Sequence, residues 1–246
     1  MKKKLVTTHS ALITVWAAII AVSTLLPAFP VIGTGATLSV GDAIVVLGGI
    51  LFGPWAGGIA AGVGGFIGQL IAPHGNIFGP LRFTIGIAAA IASGLAMQRK
   101  WGYPMLALLF FGGVWYLFPL GREAWATPIL YLLGVLACIV GWIWGKNWLI
   151  SKNRGTMFFG VFVCALIGVL IAQSIGNLWA LVMFALPAPI WFSVLLISPI
   201  ERIGFGLIAA AIGTPLLIGL PKISVPVGPA LAEQEADEGD TWEDED

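Results

Sequence analysis

The sequence predicts an all-α polytopic membrane protein of about eight transmembrane helices. Hydrophobic residues make up 59% of the 246 positions and charged residues 10%, with mean hydropathy +0.98. Such a chain has too little polar surface to dissolve in water. Apolar runs follow one another with short polar breaks, and charge is segregated. Nine of the twelve acidic residues lie between Glu233 and Asp246, which leaves Asp42, Glu123 and Glu201 for the rest. The formal net charge of zero therefore hides a basic body and an acidic tail. We divide the chain into a membrane domain, 1–223, and a disordered acidic cytoplasmic tail, 224–246.

After the basic start Met1-Lys2-Lys3-Lys4, the run from about 11 to 26 reads as an uncleaved first helix. It is long for the roughly 7 to 15 residues of a signal-peptide core, and no A-x-A site follows it. Thr14, Ala17, Ala18 and Ala21 form a stripe of small side chains, including an A-x-x-x-A pair at Ala17 and Ala21. Such a stripe serves either packing inside the bundle or docking to another membrane subunit. Residues 27–37 read as a loop. From Leu38 to Ile71 two apolar segments meet at Phe52-Gly53-Pro54, a corner with no polar loop that predicts a tight hairpin. In the second segment Gly58, Gly62 and Gly65 share one helical face, and Gly57, Ala61, Gly64 and Gly68 share the next, so backbone-close contacts are expected there.

Pro73-His74-Gly75-Asn76 is a second loop, followed by spans at 81–97 and 101–119, a polar turn at 120–126 and a sixth span at 127–148. The seventh runs unbroken from Thr156 to Phe184. At 1.5 Å per residue it is roughly 43 Å long, against about 30 Å of hydrocarbon. It is therefore expected to tilt, or to break near Gly176-Asn177, with 178–199 as an apolar outer cap. Glu201-Arg202 would then open the eighth span. With both termini cytoplasmic, Lys2, Lys3, Lys4, Arg99, Lys100, Lys146, Lys152, Arg154 and Lys222 fall inside and only Arg82, Arg122 and Arg202 outside, a strong positive-inside bias. A ninth crossing at 178–199 would weaken it only slightly.

No G-x-S-x-G, H-E-x-x-H or Walker loop is present, and no G-x-G-x-x-G is followed by a suitably spaced acidic residue, so no catalytic residues are assigned. His9 and His74 are too isolated for a metal site, and Cys138 and Cys164 lie inside apolar runs without ligand spacing. No cofactor and no nucleic-acid partner is expected. Mid-span carboxylates or histidines of the kind that couple carriers to ion gradients are also missing. The polar residues gather instead at the outer boundary. Asp42, Asn76, Arg82, Trp115, Glu123, Asn177, Trp179, Glu201 and Arg202 are the candidate substrate-binding set, with Arg122, Tyr116, Trp125 and Trp191 at the same level. An interfacial belt would account for them, and so would a pocket with aromatic walls and a few orienting polar groups. Asp42 and Glu201 would also suit helix N-termini.

Gly41-Asp42 opening a helix, the run into Gly53-Pro54, the small-rich helix from Ala56 to Gly68, the preceding A-x-x-x-A helix and the closing Pro199-Ile-Glu-Arg202 helix, with small residues at Gly206, Ala210 and Gly213, together resemble the substrate-capture S component of an energy-coupling factor (ECF) transporter, most like the riboflavin type. The resemblance covers the first four spans and the last two. It implies a binding subunit for a vitamin or related aromatic cofactor precursor, partnered by a transmembrane T subunit and two cytoplasmic ATPases in the cell membrane. Ala17 and Ala21 would then be the T-subunit contact and 27–37 a lid. The family's core has six helices, so the resemblance implies an inserted hairpin at 101–148. A self-sufficient carrier or channel, or a structural membrane protein or an enzyme of unfamiliar type, remain the alternatives.

Overall fold

Gly53 is where the chain makes its sharpest reversal. In the computed structural model of this protein, which describes residues 10–30, 37–39, 41–72, 78–149, 151, 153–184, 186–229 and 231, helix α2 spans Gly41–Ile71 but is broken at Gly53 (φ 81°, ψ 171°). That conformation is open essentially only to glycine. Pro54 then starts the second arm, where its missing N–H costs nothing. The arms fold back on each other. Residues 48 and 57 would be about 13 Å apart in a straight helix, yet a Cβ on Gly57 would sit 2.5 Å from the carbonyl carbon of Gly48. The expected hairpin is thus formed, with arms of unequal length.

Helix α1 (Ser10–Ser23) and helix α3 (Arg82–Met97) bracket this hairpin. Trp16 of α1 donates its indole N–H to the Ile44 carbonyl at 3.2 Å and meets the Phe52 ring edge-on. Higher on α1, Ala17 and Ile20 press against Gly64, and Thr24, just past its end, against Gly68. On the other side Ala90 lies against Gly49, Gly94 against Pro54, and Ile87 and Ile91 against Gly62 and Gly58. The Ser93 hydroxyl ties α3 to α2 by donating to the Val46 carbonyl at 2.8 Å.

The remaining helices form the other half: α4 (Gly102–Trp115), the short α5 (Pro119–Glu123), α6 (Ile129–Leu149), α7 (Arg154–Phe184) and α8 (Ala188–Gly219). α4 and α6 pack antiparallel, with Trp101 filling the space left by Gly141 and Gly145. α7 lies centrally against α3, α6 and α8. Among the described residues four apolar helical segments are long enough to cross a membrane (Gly41–Ile71, here folded into two arms, Ile129–Leu149, Arg154–Phe184 and Ala188–Ile223), and α1, α3 and α4 are shorter apolar helices. The multi-pass membrane class follows.

Several expectations need correction. The segment read as a loop at 27–37 contributes to a two-stranded antiparallel ribbon, β1 (Pro27–Pro30) with β2 (Thr37–Ser39), so among the described residues the regular structure is helical apart from this element. α7 does not break at Gly176-Asn177. The Asn177 amide finds side-chain partners and does not compete for the backbone. Consequently 178–199 is no separate cap: its first part completes α7, and α8 begins at Ala188, which puts Glu201 in the body of a helix and not at its N-terminus. The packed region also passes the boundary expected at 223. Val227 and Leu231 are buried, and the Gly228 N–H donates to the Leu51 carbonyl at 2.8 Å beside the Gly53 turn. Residues 232–246, with all nine tail carboxylates, lie outside the described residues.

The Ala17/Ala21 stripe resolves in favour of internal packing. Both residues are buried against α2, whereas Thr14 and Ala18 of the same stripe are exposed.

If backbone contact holds the α2 arms together, Gly57→Ala has to separate them. We expect a loss of about 1–3 kcal/mol, typical of overpacking, read as a lower melting temperature in detergent. Gly113→Ala, where an added Cβ meets nothing within 4 Å, should be neutral or slightly stabilising.

Candidate binding site

At the end of the bundle away from Gly53, the α2 arms, α3, α7 and α8 diverge and leave a cavity of about 190 Å³. One water needs roughly 10–15 Å³ by this kind of measure. The space therefore suits an organic molecule and not a lone ion. Its floor is apolar, made by Ile20, Val46, Ala61, Ala89 and Val169, where the glycine contacts bring the helices together. Its upper walls carry the aromatic rings of Phe78, Phe83, Phe184 and Trp191.

Two charge pairs reach this space. Asp42, in the first turn of α2, faces Arg82, the first residue of α3, at 3.9 Å. A carboxylate in a first helical turn is favourable and a guanidinium there is not, so Asp42 offsets the poor placement of Arg82. On α8, Glu201 and Arg202 lie 3.8 Å apart, and both are about 6% exposed. Arg202 also sits 5.7 Å over the Phe205 ring. The Glu201–Arg202 separation is long for a direct hydrogen bond, which leaves polar valences on that pair for a third group. Two acids and two bases sum to zero, a field suited to a neutral or zwitterionic ligand.

A third polar group comes from α7. Gln173 donates to Asn177 Oδ1 at 2.7 Å, and Asn177 donates to the Tyr131 hydroxyl of α6 at 3.0 Å. These residues lie one turn apart and line the cavity. Gln173 Oε1 and Arg202 Nε are buried without a hydrogen-bond partner among the described residues. A buried polar atom left unsatisfied costs about 1–3 kcal/mol, so both favour a bound molecule that supplies an N–H to one and an acceptor to the other.

Of the nine residues read from the sequence, Asp42, Arg82, Asn177, Glu201 and Arg202 converge on the cavity. Trp115 does not line it. It is fully buried behind it, donating to the Gly121 carbonyl at 2.8 Å and packing edge-on against Trp191 at 4.9 Å, so it braces a wall. Glu123 is exposed on α5, and Trp179 is half-buried on α7 outside the lining. Asn76 lies outside the described residues. Sequence reasoning missed Gln173, Gln69 and Ser198. Only the Gln173/Asn177 spacing of four along one helix was available as a signal. No group of three or more potential metal ligands occurs among the described residues.

Residues 4–119 match the family model of the ECF-type riboflavin transporter, S component. The family resemblance read from the sequence is therefore shown over that stretch. The match runs through α4 and ends before α7 and α8, so it includes the Asp42/Arg82 side of the cavity and not the Gln173/Asn177 and Glu201/Arg202 side. An uncharacterized protein of Methanocaldococcus jannaschii is 26% identical over 196 residues, or 80% of this chain and 65% of the relative. The chain thus spans about two thirds of the length of that curated relative. No solved structure matches the chain.

The Glu201/Arg202 pair generates a stability prediction. Arg202→Met leaves a buried carboxylate without its countercharge and should cost about 3–5 kcal/mol. Adding Glu201→Gln should recover much of that loss. Equal melting temperatures for the single and double variants would show that the pair is not coupled.

Proposed function

We propose that the protein is the substrate-binding membrane subunit of an ECF-type importer, and that the cavity holds a small aromatic molecule of the vitamin or cofactor-precursor class. The observation that carries this reading is the cavity itself: closed below by glycine packing, walled by aromatic rings, and edged by unsatisfied polar atoms. Aromatic walls stack a flat ring while the Gln173/Asn177 amides and the Arg202 guanidinium orient its polar edge. The S-component match over residues 4–119 supports it.

In this reading α1, the two α2 arms, α3, α4, α6, α7 and α8 make eight crossings, with both termini cytoplasmic as the positive-inside count favours. The cavity then opens outward. A transmembrane T subunit and a pair of ATPases supply the energy. Because α2 covers Ala17 and Ala21, a T subunit would have to meet other surfaces, and the exposed side of α1 with Thr14 and Ala18 is open to it.

A mild-detergent pull-down from native membranes, with mass spectrometry of proteins and small molecules, tests this. We expect a T subunit, two ATPase subunits and a retained aromatic metabolite. A protein that emerges alone, and takes up solute in liposomes under an ion gradient without partners, is instead a self-sufficient carrier. Replacing the polar edge by Gln173→Ala with Asn177→Ala should reduce the retained metabolite roughly tenfold or more, the equivalent of one to two lost hydrogen bonds. Unchanged retention in a folded double variant would move the site elsewhere.

A further inference from the structure

The opposite end of the bundle carries a second cavity, of about 300 Å³, between the α3–α4 turn and α6. Arg99 and Lys100 form its mouth, and Tyr103, Leu106 and Trp142 its flank. Trp101 closes the base, its ring seated where Cβ atoms on Gly141 and Gly145 would stand. The flanking side chains are about two-thirds exposed, although they are apolar or amphipathic. Leu106 lies one turn along α4 from Tyr103, so the flank runs from the turn toward the apolar belt of the bundle.

The backbone at the mouth is unusual. α3 ends with the Lys100 N–H bonded to the Leu95 carbonyl at 2.8 Å and the Arg99 N–H to the Ala96 carbonyl at 2.9 Å. This is the Schellman arrangement, whose left-handed position is usually glycine. Here it is Arg99, at φ 61°. Glycine would relieve the strain, yet an arginine stands there. Its guanidinium makes no hydrogen bond or ion pair with the described residues. Among the described residues the Lys100 ammonium donates to the neighbouring Gln98 side chain, at 3.0 Å. A third cation, the exposed Lys146, lies one turn beyond Trp142 on α6.

We propose that this groove binds one anionic phospholipid, its phosphate held at the Arg99/Lys100 mouth with Lys146 nearby and its acyl chain laid along Tyr103, Leu106 and Trp142. The order of chemistry along the groove, from cations through amphipathic rings to aliphatic side chain, is the order met on passing from headgroup to hydrocarbon. Leu231 lies at this same end, and the acidic residues 233–246 that follow it in sequence match the cations in charge. They offer little to the apolar flank, so a lipid fits the whole groove better.

The full-length protein in a neutral detergent is titrated with phosphatidylglycerol, with phosphatidylcholine and with inorganic phosphate, and followed by native mass spectrometry and thermal melting. Phosphatidylglycerol should remain bound at one molecule per chain and raise the melting temperature, while the other two have little effect. Arg99→Gly with Lys100→Gln should weaken that binding roughly thirtyfold, from two lost charges at about tenfold per 1.4 kcal/mol. The lipid-free melting temperature of this variant should hold or rise, because glycine suits the left-handed position. Equal retention of phosphatidylcholine, equal protection by inorganic phosphate, or unchanged phosphatidylglycerol binding in the double variant would each overturn the assignment.

Discussion

The close approach of backbones around Gly53 is the contact on which the rest of the bundle depends. Lipid tails are as apolar as the helices themselves, so burial alone gives no drive for helix association, and dispersion at short range must supply it. Glycine supplies the short range here. Gly57 meets Gly48 and Gly49 directly, Gly49 and Gly94 bring α3 onto the hairpin, and Gly64 and Gly68 bring α1 against its second arm. The partner positions must then be small or flat, which is the role of Ala17, Ala21, Ala90 and Ser93. The interior between α1, α2 and α3 becomes solid around Gly53, and the space between the α2 arms, α3, α7 and α8 opens where those helices diverge.

That division explains what the sequence could reveal. The Gly-Pro corner, the two glycine faces of the second arm and the apolar run of α7 are local signals, and local geometry follows them closely. Asp42 and Arg82 were recognisable as candidates because each opens a helix beside a loop. Glu201 was legible as a candidate but not in its surroundings. Pro199 just before it resembles a helix start, whereas the chain continues through that proline from Ala188 and buries the Glu201/Arg202 pair in mid-helix. Trp115 illustrates the opposite failure. Its level along the bundle was right, but which way an aromatic side chain points depends on partners distant in sequence, here Trp191 and the Gly121 carbonyl.

Stripe arguments failed for a related reason. Four small residues on α1 do not share one environment: Ala17 and Ala21 face α2, while Thr14 and Ala18 face outward. A helix of this length has a face for each neighbour, and small side chains permit close contact without saying which neighbour makes it. Only the complementary glycines on α2 decide the matter, and they lie some 45 residues further along the chain.

The packing also constrains how a molecule in the cavity could cross the membrane. To release it toward the Gly53 end, the hairpin arms would have to part from each other and from α1 and α3, breaking the contacts that hold the bundle together. Close-packed interfaces of this kind switch between discrete arrangements more readily than they stretch. The titratable groups that line the cavity among the described residues, Asp42, Arg82, Glu201 and Arg202, fall into two ion pairs, one joining α2 to α3 and one within α8. A bundle packed in this way is better suited to moving as a body than to opening a path through its own centre.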